Sequence, residues 1–397
     1  MCRNQANTYS FPMKAPFDRV SLRDRTRDDL YELIAEGNEL TRPELVVLTG
    51  MSRTTVNQAV GRLVAEGRVA ESEQKHKGPG SGSGRPATSL IAVANGDPVV
   101  GIDFGHNHIQ VAVADALGRP LGERYVEVDV DLLASEAMDL AADLAITLIA
   151  EHSLGRPASV VAGIPGPLDR GSGLVQSSTI LSSWVGLAPA VELERRLGVP
   201  VQIENDAILG AVGELRAGAG RDIPNFLYVK ASHGIGAAII IGGHPYRGTS
   251  GIAGEIGHTH LSGHTEACRC GNRGCLEAVV SIQAVRDQVL HTHPNAHPGD
   301  VDLASEPDEV TARILIEAGR IVGRVLSSMC DLLNPEAVII GGELGATGPQ
   351  FLGGIAASIE RYSQPATARA LQILPASLGI RAELVGALQL AAGLARR

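Results

Sequence analysis

Aromatic residues are scarce in this 397-residue chain: five Phe, six Tyr and one Trp make up 3% of it. Its cores must therefore rest on Ala, Val, Leu and Ile. Cysteine is sparse too, five in all, which excludes a disulfide-dense secreted scaffold. No run of about eighteen apolar residues occurs, so no membrane-spanning helix is expected. The start, MCRNQANTYSFPMKAPFDRV, lacks the apolar stretch of a signal peptide, and a cytoplasmic location is expected. Basic residues are outnumbered, 34 to 44, for a net charge of −10. That balance argues superficially against nucleic-acid binding, but the two parts of the chain differ. Residues 1–95 hold 13 Lys and Arg against 11 Asp and Glu, net +2, and the remainder holds 21 against 33, net −12. A mildly basic N-terminal piece on an acidic body permits DNA binding by the first part alone. The length suits two or three domains.

What is present is concentrated in GEIGHTHLSGHTEACRCGNRGCLE. His258, Cys268, Cys270 and Cys275 fall within eighteen residues, and three thiolates plus one imidazole fill the tetrahedral shell of a structural Zn²⁺ with no open position. The alternative is a Cys268–Cys275 disulfide with His258 incidental. Glu255 precedes His258 by three residues and Glu277 follows Cys275 by two. A metal folding this loop would draw both carboxylates to one locus, with one His258 ring nitrogen on the metal and the other free for a ligand. With Asn205 and Asp206 they would form an acceptor-rich pocket suited to several hydroxyls, and so to a sugar. The other reading is that Glu255 and Glu277 only fix the loop.

Residues 1–20 read as a flexible arm. Leu30, Leu33 and Ile34 then give a helical stripe ending at Gly37. Thr41-Arg42-Pro43-Glu44 is a helix start, with Thr as cap, Pro just inside and Glu three positions on; that helix runs through Leu45 and Leu48 to Gly50. Ser52 caps a third helix, in which Val56, Val60, Leu63 and Val64 form the buried stripe. Helix, Gly turn, helix is the helix-turn-helix pattern. Arg53, Thr54, Thr55, Asn57, Gln58 and Arg62 would face outward, types that reach bases and phosphates in a major groove. Two strands around KGPGSGSGRPATS would make a wing, with Arg85 at its tip for a minor groove. A small helical dimerisation domain with an ordinary linker is the alternative.

From Asp97 the texture is α/β. VVGIDFGHNHIQVAVAD reads as two strands about a tight turn, and FLYVKASHGIGAAIIIGGHPYRG repeats the arrangement. Helices follow each unit, which predicts a duplicated, two-lobed fold with a ligand cleft between the lobes. Asp206 is read here as a helix N-cap or as a functional carboxylate, and the two can hold together.

GIDFGHNH, VAGIPGPLD, IENDAILGAVGE, GIGAAIIIGGHPYRGTSGIAGEIGH and CRCGNRGCLE resemble the signatures of the ROK family of repressors, open reading frames and sugar kinases, over roughly residues 97–397. The added N-terminal segment resembles the family's transcriptional-regulator branch, with its xylose and N-acetylglucosamine repressors. The resemblance implies an actin-like (ribonuclease H-like) body behind a winged helix-turn-helix. It implies zinc at His258, Cys268, Cys270 and Cys275, and sugar contacts by Asn205, Asp206, Glu255, His258 and Glu277. In the family's kinases the residue at Asp206 is the general base. The domains expected are 21–94 for the winged helix-turn-helix, 97–204 for the first lobe, joined by a C-terminal helix 381–397, and 205–380 for the second lobe with its zinc loop and sugar cleft.

The chain departs from the kinase pattern at both phosphate loops. Where kinases carry D-x-G-G-T-K, it has Asp103, Phe104, Gly105, His106, Asn107 and His108, and a Cβ at His106 obstructs the backbone approach that glycine permits. Where kinases read G-T-G-I-G, it has Ser232-His233-Gly234-Ile235-Gly236. These changes weigh against ATP and Mg²⁺ as cofactors. The expectation is a sugar-responsive repressor, a homodimer or homotetramer partnered by operator DNA and a sugar effector. The alternative is an ATP-dependent ROK sugar kinase with an added DNA-binding regulatory domain.

Overall fold

The computed structural model describes residues 22–37, 40–76, 87–166, 173–175, 182–297, 301–303 and 305–396. The expected arm at 1–20 and Arg85 lie outside them. The chain forms two compact units, Met1–Asn95 and Gly96–Arg397.

In the first unit, α1 (Leu22–Gly37) precedes β1 (Leu40–Thr41), α2 (Arg42–Thr49), α3 (Arg53–Ala65), β2 (Val69–His76) and β3 (Ala87–Ala92), with sheet order β1-β3-β2, all antiparallel. Thr41 and Glu44 form a reciprocal capping box on α2, and Gly50 ends that helix in the left-handed region at φ 66°. Ser52 caps α3 by accepting from the Thr55 amide. These caps satisfy amides that a helix start otherwise leaves unpaired. The small core joins Leu30, Tyr31 and Ile34 of α1 to Leu45, Val56, Val60, Leu63, Val69 and Leu90. One expected core residue is instead exposed: Val64 is 36% accessible, because the inward stripe of α3 runs through Val56, Ala59, Val60 and Leu63 and ends there.

The second unit holds two five-stranded sheets of one topology. In the first lobe β4 (Val99–Phe104), β5 (His108–Ala114) and β6 (Pro120–Glu127) form an antiparallel meander, followed by α4 (Ala134–Glu151), β7 (Ser159–Ile164), α5 (Pro189–Leu197) and β8 (Val201–Asn205). The order is β6-β5-β4-β7-β8, with β7 parallel to both β4 and β8. Next, α6 (Asp206–Ala217) leads to β9 (Phe226–Ala231), β10 (Ile235–Ile241) and β11 (His244–Tyr246), a second meander. Helices α7 (Leu276–Val280), α8 (Ile282–Thr292) and α9 (Glu309–Leu333) precede β12 (Ala337–Gly341), α10 (Gly342–Gly345), α11 (Pro349–Tyr362), α12 (Pro365–Ala370) and β13 (Gln372–Pro375). The order β11-β10-β9-β12-β13 repeats that of the first lobe strand for strand, the last two pairings again parallel. Strands β4, β7 and β12 are buried along their whole length, as parallel strands covered on both faces must be.

The last helix, α13 (Ala382–Ala395), returns to the first lobe. Its Leu384, Ala387, Leu388, Ala391 and Ala392 pack with Val99, Ala112, Ala114 and Val161. On the other side, α6 sets Ile208, Ala211, Val212 and Leu215 against Phe226, Tyr228, Ala238 and Ile339 of the second sheet. The two helices thus stand back to back between the sheets. They can approach because Gly213 lies against the Ala382 carbonyl and Gly386 against that of Leu209, where no Cβ fits. Among the described residues, no helix is long and apolar enough to cross a membrane.

Candidate functional site

A cavity of about 760 Å³ opens at the carboxyl ends of the central strands of both lobes, where ligands bind open α/β sheets. Asn205, Asp206, Glu255, His258 and Glu277 all line it. Asn205 ends β8, and its side chain, rather than that of Asp206, caps α6 by accepting from the Ile208 amide. The N-cap alternative for Asp206 is thereby corrected: the β8–α6 corner assigns capping to Asn205 and leaves the Asp206 carboxylate at the cavity.

The metal-ligating candidates converge. Ligand atoms of His258, Cys268, Cys270 and Cys275 all lie within 4.8 Å of one another. His258 Nδ1 is 3.7 Å from Cys268 Sγ, and Cys270 Sγ is 3.7 Å from Cys275 Sγ. All three sulfurs are free thiols, so the disulfide alternative is not what the loop adopts. Burial pushes the Cys268 thiol up to about 12, so this pocket favours the protonated thiol until a cation enters. The other ring nitrogen, His258 Nε2, stands 3.8 Å from Glu255 Oε2. Glu277 Oε2 accepts from the Ile235 amide in the β9–β10 turn at 3.3 Å. The loop that could hold a metal therefore also brings Glu255, His258 and Glu277 to the cavity wall. Burial raises the Glu255 carboxyl above its ordinary value, partly opposed by His258.

Sequence reading missed the cation at the centre of this end. Lys230 Nζ sits 3.0 Å from Asp206 Oδ2 and 3.1 Å from Glu383 Oε1 of α13. Lys230 is held charged despite burial by Asp206, Glu383 and Asp103. Asp206 Oδ1 also accepts from the Ala207 amide at 2.8 Å. A second missed pair is Glu204 with Arg247, whose Nε and Nη2 reach the same carboxylate oxygen at 2.8 and 2.7 Å. The available signal was charge inside strand-forming stretches: Lys230 in FLYVKA and Glu204 in VQIEN.

The altered phosphate loops form the far end of the cavity, where Asp103, Gly105, His106, Asn107, Gly234 and Gly236 are part of the wall. His106 Nδ1 lies 2.8 Å from Asp131 Oδ1, and His233 Nδ1 lies 3.5 Å from Glu343 Oε1. The two rings, one from each lobe, face each other at a centroid distance of 5.4 Å. His108 Nε2 is 3.3 Å from Asp103 Oδ2 and its ring stacks on Tyr125. Asp103 Oδ1 is buried with no hydrogen-bond partner. Side chains thus fill space that glycine would leave to a polyphosphate.

In the first unit, Arg53, Thr54, Thr55, Asn57, Gln58 and Arg62 are all exposed on α3. Thr55 Oγ1 is engaged with the Ser52 cap at 2.9 Å.

Comparison with known proteins adds four findings. The sequence model of the ROK family matches residues 99–393. The xylose repressor of Bacillus spizizenii is 29% identical over 364 residues, covering 90% of this chain and 92% of that protein. The glucokinase of Thermotoga maritima is 29% identical over 306 residues, covering 73% of this chain and 95% of the enzyme. Among solved structures, a ROK family transcriptional regulator described as a homologue of Escherichia coli MLC superposes with a TM-score of 0.72 at 23% identity, over 94% of this chain and 97% of that one.

Proposed function

The chain belongs to the ROK family, and from that premise we propose that it is a sugar-responsive transcriptional repressor of carbohydrate metabolism. One observation carries this reading. Similarity to the xylose repressor spans 90% of the chain, whereas similarity to a glucokinase stops at 73%; the surplus reaches into the N-terminal unit. There, residues 21–94 act as a winged helix-turn-helix. Arg53, Thr54, Thr55, Asn57, Gln58 and Arg62 of α3 read the major groove, and Arg85 supplies a minor-groove contact. The repressor works in the cytoplasm as a homodimer, which presents two such heads to half-sites one or two helical turns apart, each turn roughly 34 Å.

The body, residues 97–380 with the helix of 381–397, is the sensor. Asn205, Asp206, Glu255, His258 and Glu277 take the sugar hydroxyls. Zinc fits the His258, Cys268, Cys270 and Cys275 cluster: with Zn–S near 2.3 Å and Zn–N near 2.0 Å, tetrahedral edges come to roughly 3.6–3.8 Å, against 3.7 Å for both close pairs. When bound, it would supply a closed, structural crosslink that presets Glu255 and His258. To turn about 99:1 operator occupancy into 1:99, the sugar must favour the released state by roughly 5.5 kcal/mol.

The histidines in both phosphate loops argue against ATP-dependent phosphorylation, and the Asp206–Lys230 pair gives Asp206 a standing partner. The test is retention of the chain on its own promoter DNA and release by a sugar from a panel. No retention in the absence of sugar, or phosphate transfer from ATP to a hexose that Asp206→Ala abolishes, overturns the repressor in favour of a kinase.

A further inference from the structure

The cavity lies at one edge of the first sheet, and the chain enters that sheet at the opposite edge. Strand β4 starts at Val99, just after the second unit begins at Gly96, and leads to Asp103 in the cavity wall. Helix α13 runs back beside it, its 14 residues spanning about 21 Å at 1.5 Å each. Glu383 in its first turn lines the cavity, and Leu388 lies over Gly101 midway along β4. Near its other end the Ala391 carbonyl accepts from Ser159 Oγ, at the start of β7, at 2.7 Å.

This far end of α13 is built into the point of entry. Gln389 Nε2 donates to the Gly118 carbonyl at 3.1 Å and Arg396 Nη1 to that of Ala116 at 3.4 Å. Asp115 Oδ1 accepts from the Leu117 and Arg119 amides and so sets the turn that holds both carbonyls. A Cβ on Gly96 would stand 3.1 Å from the Ala116 Cβ, so Gly96 rests directly on this turn. Within the first unit, Asn95 Nδ2 donates to the Gly67 carbonyl at 2.7 Å, just beyond the end of α3. The Val93 amide donates to the Arg68 carbonyl beside it at 2.8 Å. One peptide bond thus joins the residue seated on the turn to the residue that holds the end of α3.

At the cavity end, Lys230 stands between two carboxylates, 3.0 Å from Asp206 and 3.1 Å from Glu383. A sugar hydroxyl donating to Asp206 competes with the ammonium for the same oxygens. It shifts Lys230 toward Glu383 and so acts on the first turn of α13. Gly213 and Gly386 pack this part of the helix too closely against α6 for it to bend by itself. Small translations of whole helices are the ordinary way in which such packed interfaces switch.

We propose that α13 is the relay from the sugar pocket to the DNA-binding unit. Occupancy of Asp206 moves the helix through Lys230 and Glu383, and Gln389 and Arg396 pass the movement through the turn at 115–118 to Asn95 and the end of α3. The proposal rests on the sugar-responsive repressor reading above and supplies its regulation.

The test is binding of the full chain to its own promoter DNA, by fluorescence anisotropy, without sugar and with saturating xylose, glucose or N-acetylglucosamine. Sugar affinity is measured in parallel by calorimetry. At least one of these sugars changes wild-type DNA affinity tenfold or more. Gln389→Ala and Asn95→Ala, one at each end of the far contact, each reduce that change to threefold or less. Their sugar affinity and their sugar-free DNA affinity stay within about twofold of wild type, which also reports that both variants fold. Either variant keeping the full change overturns the relay and leaves the sensor standing; so does loss of sugar or DNA binding itself, which makes the contact structural. A wild-type chain whose DNA affinity responds to none of the three sugars removes the sensor and the relay together.

Discussion

Lys230 has more carboxylates around it than one ammonium can neutralise. Asp206 and Glu383 are within 3.1 Å, and Asp103 adds its charge to the same locus. Burial raises the Glu383 carboxyl from 4.5 to about 7, against the pull of Lys230, so this is the group that takes up a proton as pH falls through that value. An acid raised in the folded state binds more protons there than when unfolded, so its contribution is fully present below 4.5 and is lost as pH rises through about 7. Denaturant unfolding across that window should show stability falling with pH, and Glu383→Gln should flatten the slope. Lys230→Met leaves two buried carboxylates facing each other without a cation and should cost about 3 kcal/mol in the same measurement. At the metal cluster, Cys270→Ser is expected to lower bound zinc, read by metal analysis, and to weaken sugar binding in parallel. Full sugar affinity without zinc would separate the cluster from the pocket. Lys230 and Glu383 escaped sequence reading because 153 residues part them in the chain and each sits in an apolar stretch. The cluster that could hold a metal, all within eighteen residues, was legible from spacing alone.

Helix α3 carries the DNA contacts if the repressor reading holds. Arg53→Ala or Gln58→Ala should weaken operator binding by about 1–3 kcal/mol, with sugar affinity unchanged. A mobility-shift series would also show binding falling steeply with salt; a flat response would point away from phosphate contacts. The caps of α2 and α3 could be read directly, because Thr-x-x-Glu and Ser are local chemistry satisfied within one turn. The inward face of α3 ends at Leu63, and Ala59 within it is small enough to pass as a spacer, so apolar size alone points to Val64 in its stead. The 25 residues of α9 were left unplaced although Leu315, Val322 and Leu326 recur at helical spacing on its buried face. Strand β13 is only four residues long and half exposed, too short for period-two alternation to register.

Across the second unit the two lobes share one strand order, and the pair α6 and α13 stands between their sheets. The duplication was visible because each lobe opens with buried strands around a Gly turn. The pairing of α6 with α13 was not, since it depends on where two glycines from distant segments meet. Gly386→Ala drives a methyl group into the Leu209 carbonyl, a backbone atom that cannot step aside. We expect a loss of about 1–3 kcal/mol, measured by urea unfolding, and a weaker sugar response because the lobes no longer seat. The route of α13 has a bearing on synthesis as well. The first sheet is complete in sequence at Asn205, yet the apolar face formed by Val99, Ala112, Ala114 and Val161 has only Leu209 from α6 against it until the residues from Leu384 onward arrive. At about 5–20 residues per second, the ribosome leaves most of that surface uncovered for roughly ten to thirty-five seconds, long enough for a nascent chain to need a chaperone's shelter.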